Sequence, residues 1–377
     1  SLPWNFLMLV TGLDCSRAHD VHLLSSSSPS EFISMKHDGV VRISLLLIAS
    51  IITLAALYYS QAIMAPVTFA LFTVAIAWPL QSALQKRIPV LLALVVTIVV
   101  TLAVLAILIF LVVWGFGLVF QWVINNTDRI QTLYAQATEW LDSHGVSITN
   151  LVADSYNPGW IIGAIREVGG RSYGLVSFIV IAFAFIVLGL LEVDIARRNV
   201  EHLNSQSLRR SLLQGAEKIA DKFQKYMVVR TTMSLLTGVV VWSFALVAGI
   251  ELATAWGVIA FVLNYIPFIG PFIATVFPTL FVLVQTGSWQ VCFAVFVCLN
   301  IIQFVIGSYL EPRIAGAALS MSPFVVLLAV FFWSFLWGIA GAFIGLPIMI
   351  AILTICEQHK STEAIALLLS AGERKSA

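Results

Sequence analysis

The polar groups set deepest in the apolar stretches of this chain are neutral amides. Asn264 stands just ahead of a helix-breaking cluster made by Pro267, Gly270 and Pro271, and Asn300 and Gln303 lie three residues apart, on one face of a helix. An amide donates and accepts hydrogen bonds without ionising, so such a set suits a small neutral or weakly polar solute better than a strongly ionised one. The same groups can instead bond to neighbouring helices, because a polar atom left unpaired in hydrocarbon costs several kcal/mol. The residues alone leave both roles open.

Charge appears only at the edges of these stretches. Glu311-Pro312-Arg313 stands between two long apolar runs, and Glu192 and Asp194 follow an earlier one. Charges so placed ordinarily mark the water boundary. Glu311 and Arg313 would act as a gate if they paired with each other. Catalysis has less to build on. His19, His22, His37, His144, His202 and His359 all lie outside the apolar runs, so no His-Glu-x-x-His zinc site is embedded there. The spans hold no paired aspartates, and the chain has no Walker loop for ATP and no Gly-x-Ser-x-Gly elbow. The expectation is a protein that is not an enzyme, with no catalytic residue, no metal and no cofactor.

The elements that must position the amides follow from composition. Hydrophobic residues make up 60% of the chain and charged residues 10%, with a mean hydropathy of +0.99, far outside the range of soluble domains. Charge-free runs recur at 43–85, 88–127, 172–191, 252–310 and 314–356. Each holds one or more segments of about 20 residues, the length that crosses a hydrocarbon core of about 30 Å. The short alternating segments of a membrane β-barrel are absent. The fold class is therefore an all-α integral membrane protein, with the lipid bilayer as its surroundings. A net charge of +1 gives no footprint for nucleic acid. Cys15, Cys292, Cys298 and Cys356 are too widely spaced for a metal site or a disulfide framework, which leaves small apolar packing.

Length and punctuation predict about eight hydrophobic helices, near 40–59, 62–80, 88–121, 174–191, 231–250, 253–286, 289–309 and 322–351. The third, at ~1.5 Å per residue, is roughly 50 Å long and must tilt or project beyond the bilayer. Orientation follows from basic residues. The segment 192–230 carries Arg197, Arg198, Arg209, Arg210, Lys218, Lys222, Lys225 and Arg230, whereas 122–173 carries only Arg129, Arg166 and Arg171. The first segment is expected on the cytoplasmic side, with both termini, and the second forms a small external helical insert. Within 209–230, Leu212, Ala216, Ile219, Ala220, Phe223 and Met227 repeat at helical spacing, which predicts an amphipathic linker helix at the cytoplasmic interface. In the insert, Ile130, Leu133, Tyr134, Ala137 and Leu141 make a second stripe behind Asn126, Thr127 and Asp128, which can cap it. Asn157-Pro158-Gly159 marks a turn.

Residues 1–34 read as a non-native or disordered extension, because Met35-Lys36-His37 leads directly into the first long apolar run. Residues 35–360 then form the membrane domain, and 361–377 a cytoplasmic tail.

Pro267 removes a backbone donor, Gly270 permits unusual dihedrals, and Pro271 disfavours helix at Gly270, so the run breaks at membrane depth. A second interruption, at Gly338, Gly341, Gly345 and Pro347, comes about 70 residues later. These breaks are expected to be facing discontinuous elements, either spanning or re-entrant, that move relative to the other helices.

The stretches "LNYIPFIGPFIATV" at 263–276 and "LEPRIAGAALSMSPFVVLLAVFFWSFLWGIAGAFIGLPI" at 310–348 resemble the signature half of the autoinducer-2 exporter family of membrane transporters. The shared elements are the break at Pro267 and Gly270, Pro312 to Gly316, the Ser322-Pro323 helix start, and Trp337-Gly338 with Gly341 and Pro347. Phe268 departs from the pattern, standing where related sequences often have a polar residue. The resemblance implies a secondary transporter of the bacterial inner membrane, homo-oligomeric and without an ATPase. Its solute would be a small polar signalling molecule such as autoinducer-2, which ties it to efflux and quorum sensing, and its coupling ion a proton or sodium. Two alternatives stand beside export: a sodium/proton antiporter, disfavoured by the lack of a deep Asp or Glu, and a transport-inactive membrane scaffold.

Overall fold

A computed structural model describes residues 29–144, 159–315 and 321–358, with positions 362, 364, 366 and 369. The 1–28 part of the expected N-terminal extension, the Asn157-Pro158 turn, Gly316 and most of the expected tail lie outside the described residues. Among those described, seven helices are long and apolar enough to cross a membrane, and Ser44–Tyr59 and Ala253–Leu263 are shorter apolar helical stretches.

The chain divides into two compact units, Ser1–Tyr59 and Ser60–Ala377. The first contains α1, Pro29–Tyr59, which covers the predicted 40–59 segment and also takes in residues 29–34. From Leu45 to Ile52 its large apolar side chains are exposed, as a lipid-facing helix requires.

The second unit opens with α2, Gln61–Gln85, and α3, Val90–Asn125. The 36 residues of α3 exceed a perpendicular span, as expected, and most of its apolar side chains are exposed. Next comes α4, Thr127–Ser143, the helix of the insert, with Asp128 in its first turn where the positive end of the helix favours an acid. α5 is Gly159–Glu201.

α6, Gln206–Val247, differs from expectation. The amphipathic linker and the fifth span are one unbroken 42-residue helix, capped by Ser205, whose Oγ accepts from the Leu208 N–H. The reason is a continuous buried stripe: Phe223, Tyr226, Arg230, Met233, Thr237 and Val241 follow one another at steps of three and four, with no proline to interrupt them. At Phe223 and Tyr226 this face packs against Phe72, Leu346, Ile350 and Leu353.

The predicted 253–286 segment is two helices, α7, Ala253–Leu263, and α8, Ile269–Thr286. α9, Trp289–Gln303, continues through a π-helical segment, Phe304–Leu310, into a short α10, Glu311–Ala315. The last helix, α11, is Pro323–Cys356, and Ser322 caps it by accepting from the Val325 N–H.

Lipid is as apolar as leucine, so association here rests on close packing and hydrogen bonds between helices. α2 and α5 meet through Ala70, Val74, Ile186 and Leu190, and Gln81 Nε2 donates to the Leu190 carbonyl at 3.2 Å. α6 and α7 approach through Gly238 and Gly257. A Cβ on Gly257 would lie 2.6 Å from the Trp242 Cβ, so only glycine admits this crossing. Around it, Val241, Trp256, Ile259, Phe281 and Val282 form the largest buried apolar cluster.

Candidate functional site

α7 and α8 form an antiparallel hairpin. Trp256 packs edge-on against Phe281, and at the open end Gln285 Nε2 donates to the Gly249 carbonyl at 2.9 Å while its Oε1 accepts from the Glu251 N–H at 3.0 Å. At the closed end, Gly270 lies so close to the Leu263 carbonyl that any Cβ would collide with it. With 11 residues, α7 rises only ~16 Å, about half of a hydrocarbon core, before the chain turns back.

The turn itself is a γ-turn centred on Phe268. Its φ of 61° and ψ of −51° are rare for a residue with a side chain, and the Ile269 N–H donates to the Pro267 carbonyl at 2.7 Å. This corrects the role expected of Gly270. Gly270 is needed for close approach, and the unusual dihedral falls on Phe268 instead. Pro271 sits in the first turn of α8, where a missing N–H leaves no intrahelical bond unmade.

α11 is a second hairpin. At Trp337 and Gly338 the backbone leaves the helix, with Gly338 at φ 61°, ψ −142°. Beyond that point the chain doubles back: Gly341 meets Trp333, and Gly345 packs on Ala329 and Trp333. These partners are equally far on either side of the break, which defines two antiparallel limbs. A Cβ on Gly341 would strike the Trp333 carbonyl, so the limbs touch backbone to backbone. Pro347 is buried in the returning limb.

The hairpins enter from opposite directions along α6. The open end of the first follows Val247, whereas Glu357, at the base of the second, pairs with Lys222 at 2.8 Å. Lys222 and Val247 are about 37 Å apart along the helix axis at ~1.5 Å per residue. The closed ends come together between them, where the Tyr265 and Phe343 rings stack with centroids 6.4 Å apart. Tyr265 Oη also donates to Thr231 Oγ1 at 3.0 Å, and Asn264 Nδ2 to Ser234 Oγ at 3.3 Å. Asn264 is buried, and its contact here is an interhelical bond to α6.

Pro271, Asn300 and Gln303 do converge. They line a half-open cavity of about 170 Å³ between α8 and α9, together with Thr275 and Val276 and the largely exposed rings of Phe272 and Phe296. Asn300 Nδ2 donates back to the Phe296 carbonyl at 2.8 Å, and Thr275 Oγ1 to the Pro271 carbonyl at 2.9 Å. The amide nitrogen of Gln303 is buried without a hydrogen-bond partner.

The expected pairing of Glu311 with Arg313 is not what forms. Residues two apart on a helix point in different directions. Glu311 Oε1 instead accepts from an Arg230 guanidinium N–H at 2.6 Å, and Arg313 lies over the Tyr309 ring, 4.0 Å from its centroid. Arg230, read from the sequence as one of the cytoplasmic basic residues, is 4% exposed. Sequence reasoning missed this centre, although Arg230 falls on the buried stripe at Phe223, Tyr226 and Met233. That register was the available signal. Because α7 and α8 form a hairpin, α9 runs back along the bundle and brings α10 against α6 beside Arg230.

The architecture defines an all-α, multi-pass membrane protein with paired helical hairpins. The profile of the AI-2E family transporters matches residues 47–361, and the chain belongs to that family. It is similar to the AI-2 transport protein TqsA of Escherichia coli (strain K12), 28% identical over 334 residues, covering 88% of this chain and 96% of the relative. A putative transport protein of Haemophilus influenzae (strain ATCC 51907 / DSM 11121 / KW20 / Rd) is 26% identical over 339 residues, 85% of this chain and 94% of its own. The putative transport protein YhhT of Escherichia coli (strain K12) is 35% identical over 162 residues, 43% of this chain and 46% of the relative. The protein is thus a membrane transporter.

Proposed function

We propose that this protein is a secondary carrier, without an ATPase of its own, that exports a small polar signalling molecule of the autoinducer-2 kind across the bacterial inner membrane. The observation that carries this reading is the meeting, at Tyr265 and Phe343, of two hairpins that run in opposite directions along α6. Broken helices of this kind build midplane sites in secondary transporters, with access alternating as one element moves against the rest. The similarity to the AI-2 transport protein TqsA supports autoinducer-2 as the solute. The end of the bundle rich in Lys and Arg faces the cytoplasm, and the carrier works as a homo-oligomer coupled to a proton or sodium gradient.

Reconstitution into liposomes with autoinducer-2 inside, and proton or sodium gradients imposed across the bilayer, tests this. Gradient-dependent release of autoinducer-2 supports export. Absence of flux with any solute sinks it in favour of a scaffold. A second reading, sodium/proton antiport, is favoured by the Arg230–Glu311 pair, a carboxylate beside a long apolar run. Sodium-dependent proton movement without solute flux is its mark.

A further inference from the structure

Building on the carrier reading, we infer that the cavity between α8 and α9 is the solute subsite and that Gln303 selects there for uncharged molecules bearing hydroxyl or carbonyl oxygens. Three observations converge. The Gln303 side chain lines the cavity and its amide nitrogen is a buried donor with no partner, so turning that amide toward a solute oxygen breaks no existing hydrogen bond. Thr275 and Asn300 each spend a donor on the backbone, which leaves the Thr275 hydroxyl oxygen and the Asn300 amide oxygen to accept from a solute hydroxyl. Phe272 and Phe296 supply apolar walls for the C–H face of the same molecule.

No ionised side chain lines the cavity, so a charged solute would find no countercharge there to offset the hydration it gives up. The volume, about 170 Å³, is room for roughly five or six water-sized groups at ~30 Å³ each, a molecule of a few carbons with several hydroxyls. Gln303 is also the last residue of α9 before the π-helical segment, an irregularity frequent at functional sites.

The test is calorimetric binding to the intact protein in lipid nanodiscs, with autoinducer-2, neutral ribose and its acid, ribonate. The neutral probes should bind at least tenfold more tightly than ribonate. Gln303→Met, which keeps length but removes the donor, should weaken them roughly five- to tenfold. Thr275→Val, close in shape, should weaken them to a lesser degree and serves where Gln303→Met does not fold. Ribonate binding as tightly as ribose overturns the proposal, as does Gln303→Met binding within twofold of the parent. If the parent protein carries flux while Gln303→Met keeps its affinity, the subsite is wrong and the carrier stands. If the neutral probes bind through Gln303 but no solute ever crosses the bilayer, the carrier reading fails and the subsite stands.

Discussion

Arg230 on α6 and Glu311 at the start of α10 are 81 residues apart in the chain and 2.6 Å apart in space. The π-helical segment makes this contact. The Glu311 N–H donates to the Ile306 carbonyl, five residues back, so position 311 is offset by about one residue, or ~100°, from the register α9 would otherwise give it. Without that offset the guanidinium would have no carboxylate to meet. Removing one partner should therefore hurt more than removing both. Glu311→Ala is expected to lower stability by roughly 2–4 kcal/mol, below the full penalty for breaking a buried pair because the Glu311 side chain is 22% exposed. The double variant Arg230→Met with Glu311→Leu should recover most of that loss. Thermal unfolding in detergent measures both.

Glycine at the hairpins is a matter of contact. Gly270→Ala and Gly341→Ala each place a methyl group on a backbone carbonyl that cannot move aside, at a cost of about 3 kcal/mol or more. Gly117→Ala, with no atom within 4 Å of the new methyl, should be neutral or slightly stabilising. Fluorescence-detected size-exclusion profiles after heating would rank the three, and equal losses would refute the close approach.

The closed ends of the hairpins should need freedom to move. In a background with Cys15, Cys292, Cys298 and Cys356 replaced by serine, Tyr265→Cys and Phe343→Cys, whose parent rings have centroids 6.4 Å apart, can be joined by a bifunctional methanethiosulfonate that spans the gap. Cross-linking is expected to stop solute flux, and dithiothreitol to restore it. Flux that persists through complete cross-linking would show that the hairpins do not separate during transport.

Gln285 clasps the open end of the first hairpin through two hydrogen bonds, to the Gly249 carbonyl and from the Glu251 N–H. Gln285→Ala should cost about 1 kcal/mol, because both bonds are exposed to competing solvent. Hydrogen exchange read by mass spectrometry would report it as faster exchange confined to 249–252, with α6 unchanged.

The two breaks in the candidate site were legible because helix breaking is local. Pro267, Gly270 and Pro271 located the first break, and Gly338, Gly341 and Pro347 the second, since the donors a proline removes and the space a glycine leaves depend on adjacent residues. The amides were legible too, as rare polar groups in apolar runs, and Asn300 and Gln303 reach one cavity because three residues place them on one helix face. Asn264 did not join them. Its neighbour Ser234 is 30 residues away, and nothing near Asn264 in the chain announces it.

The sequence by itself determined the class: apolar content and run length are sums over residues, and a bilayer admits only structures that satisfy their own backbone, so an all-α membrane fold followed. Tertiary structure decided the rest. Whether a broken helix continues or doubles back depends on what receives it, and here α6 supplies the surface, with Gly238 against Gly257 and Ser234 against Asn264. Arg230, which the sequence groups with the other basic residues of 192–230, is in the fold a buried partner of Glu311, because a charge is buried or solvated according to neighbours that only the folded chain brings near.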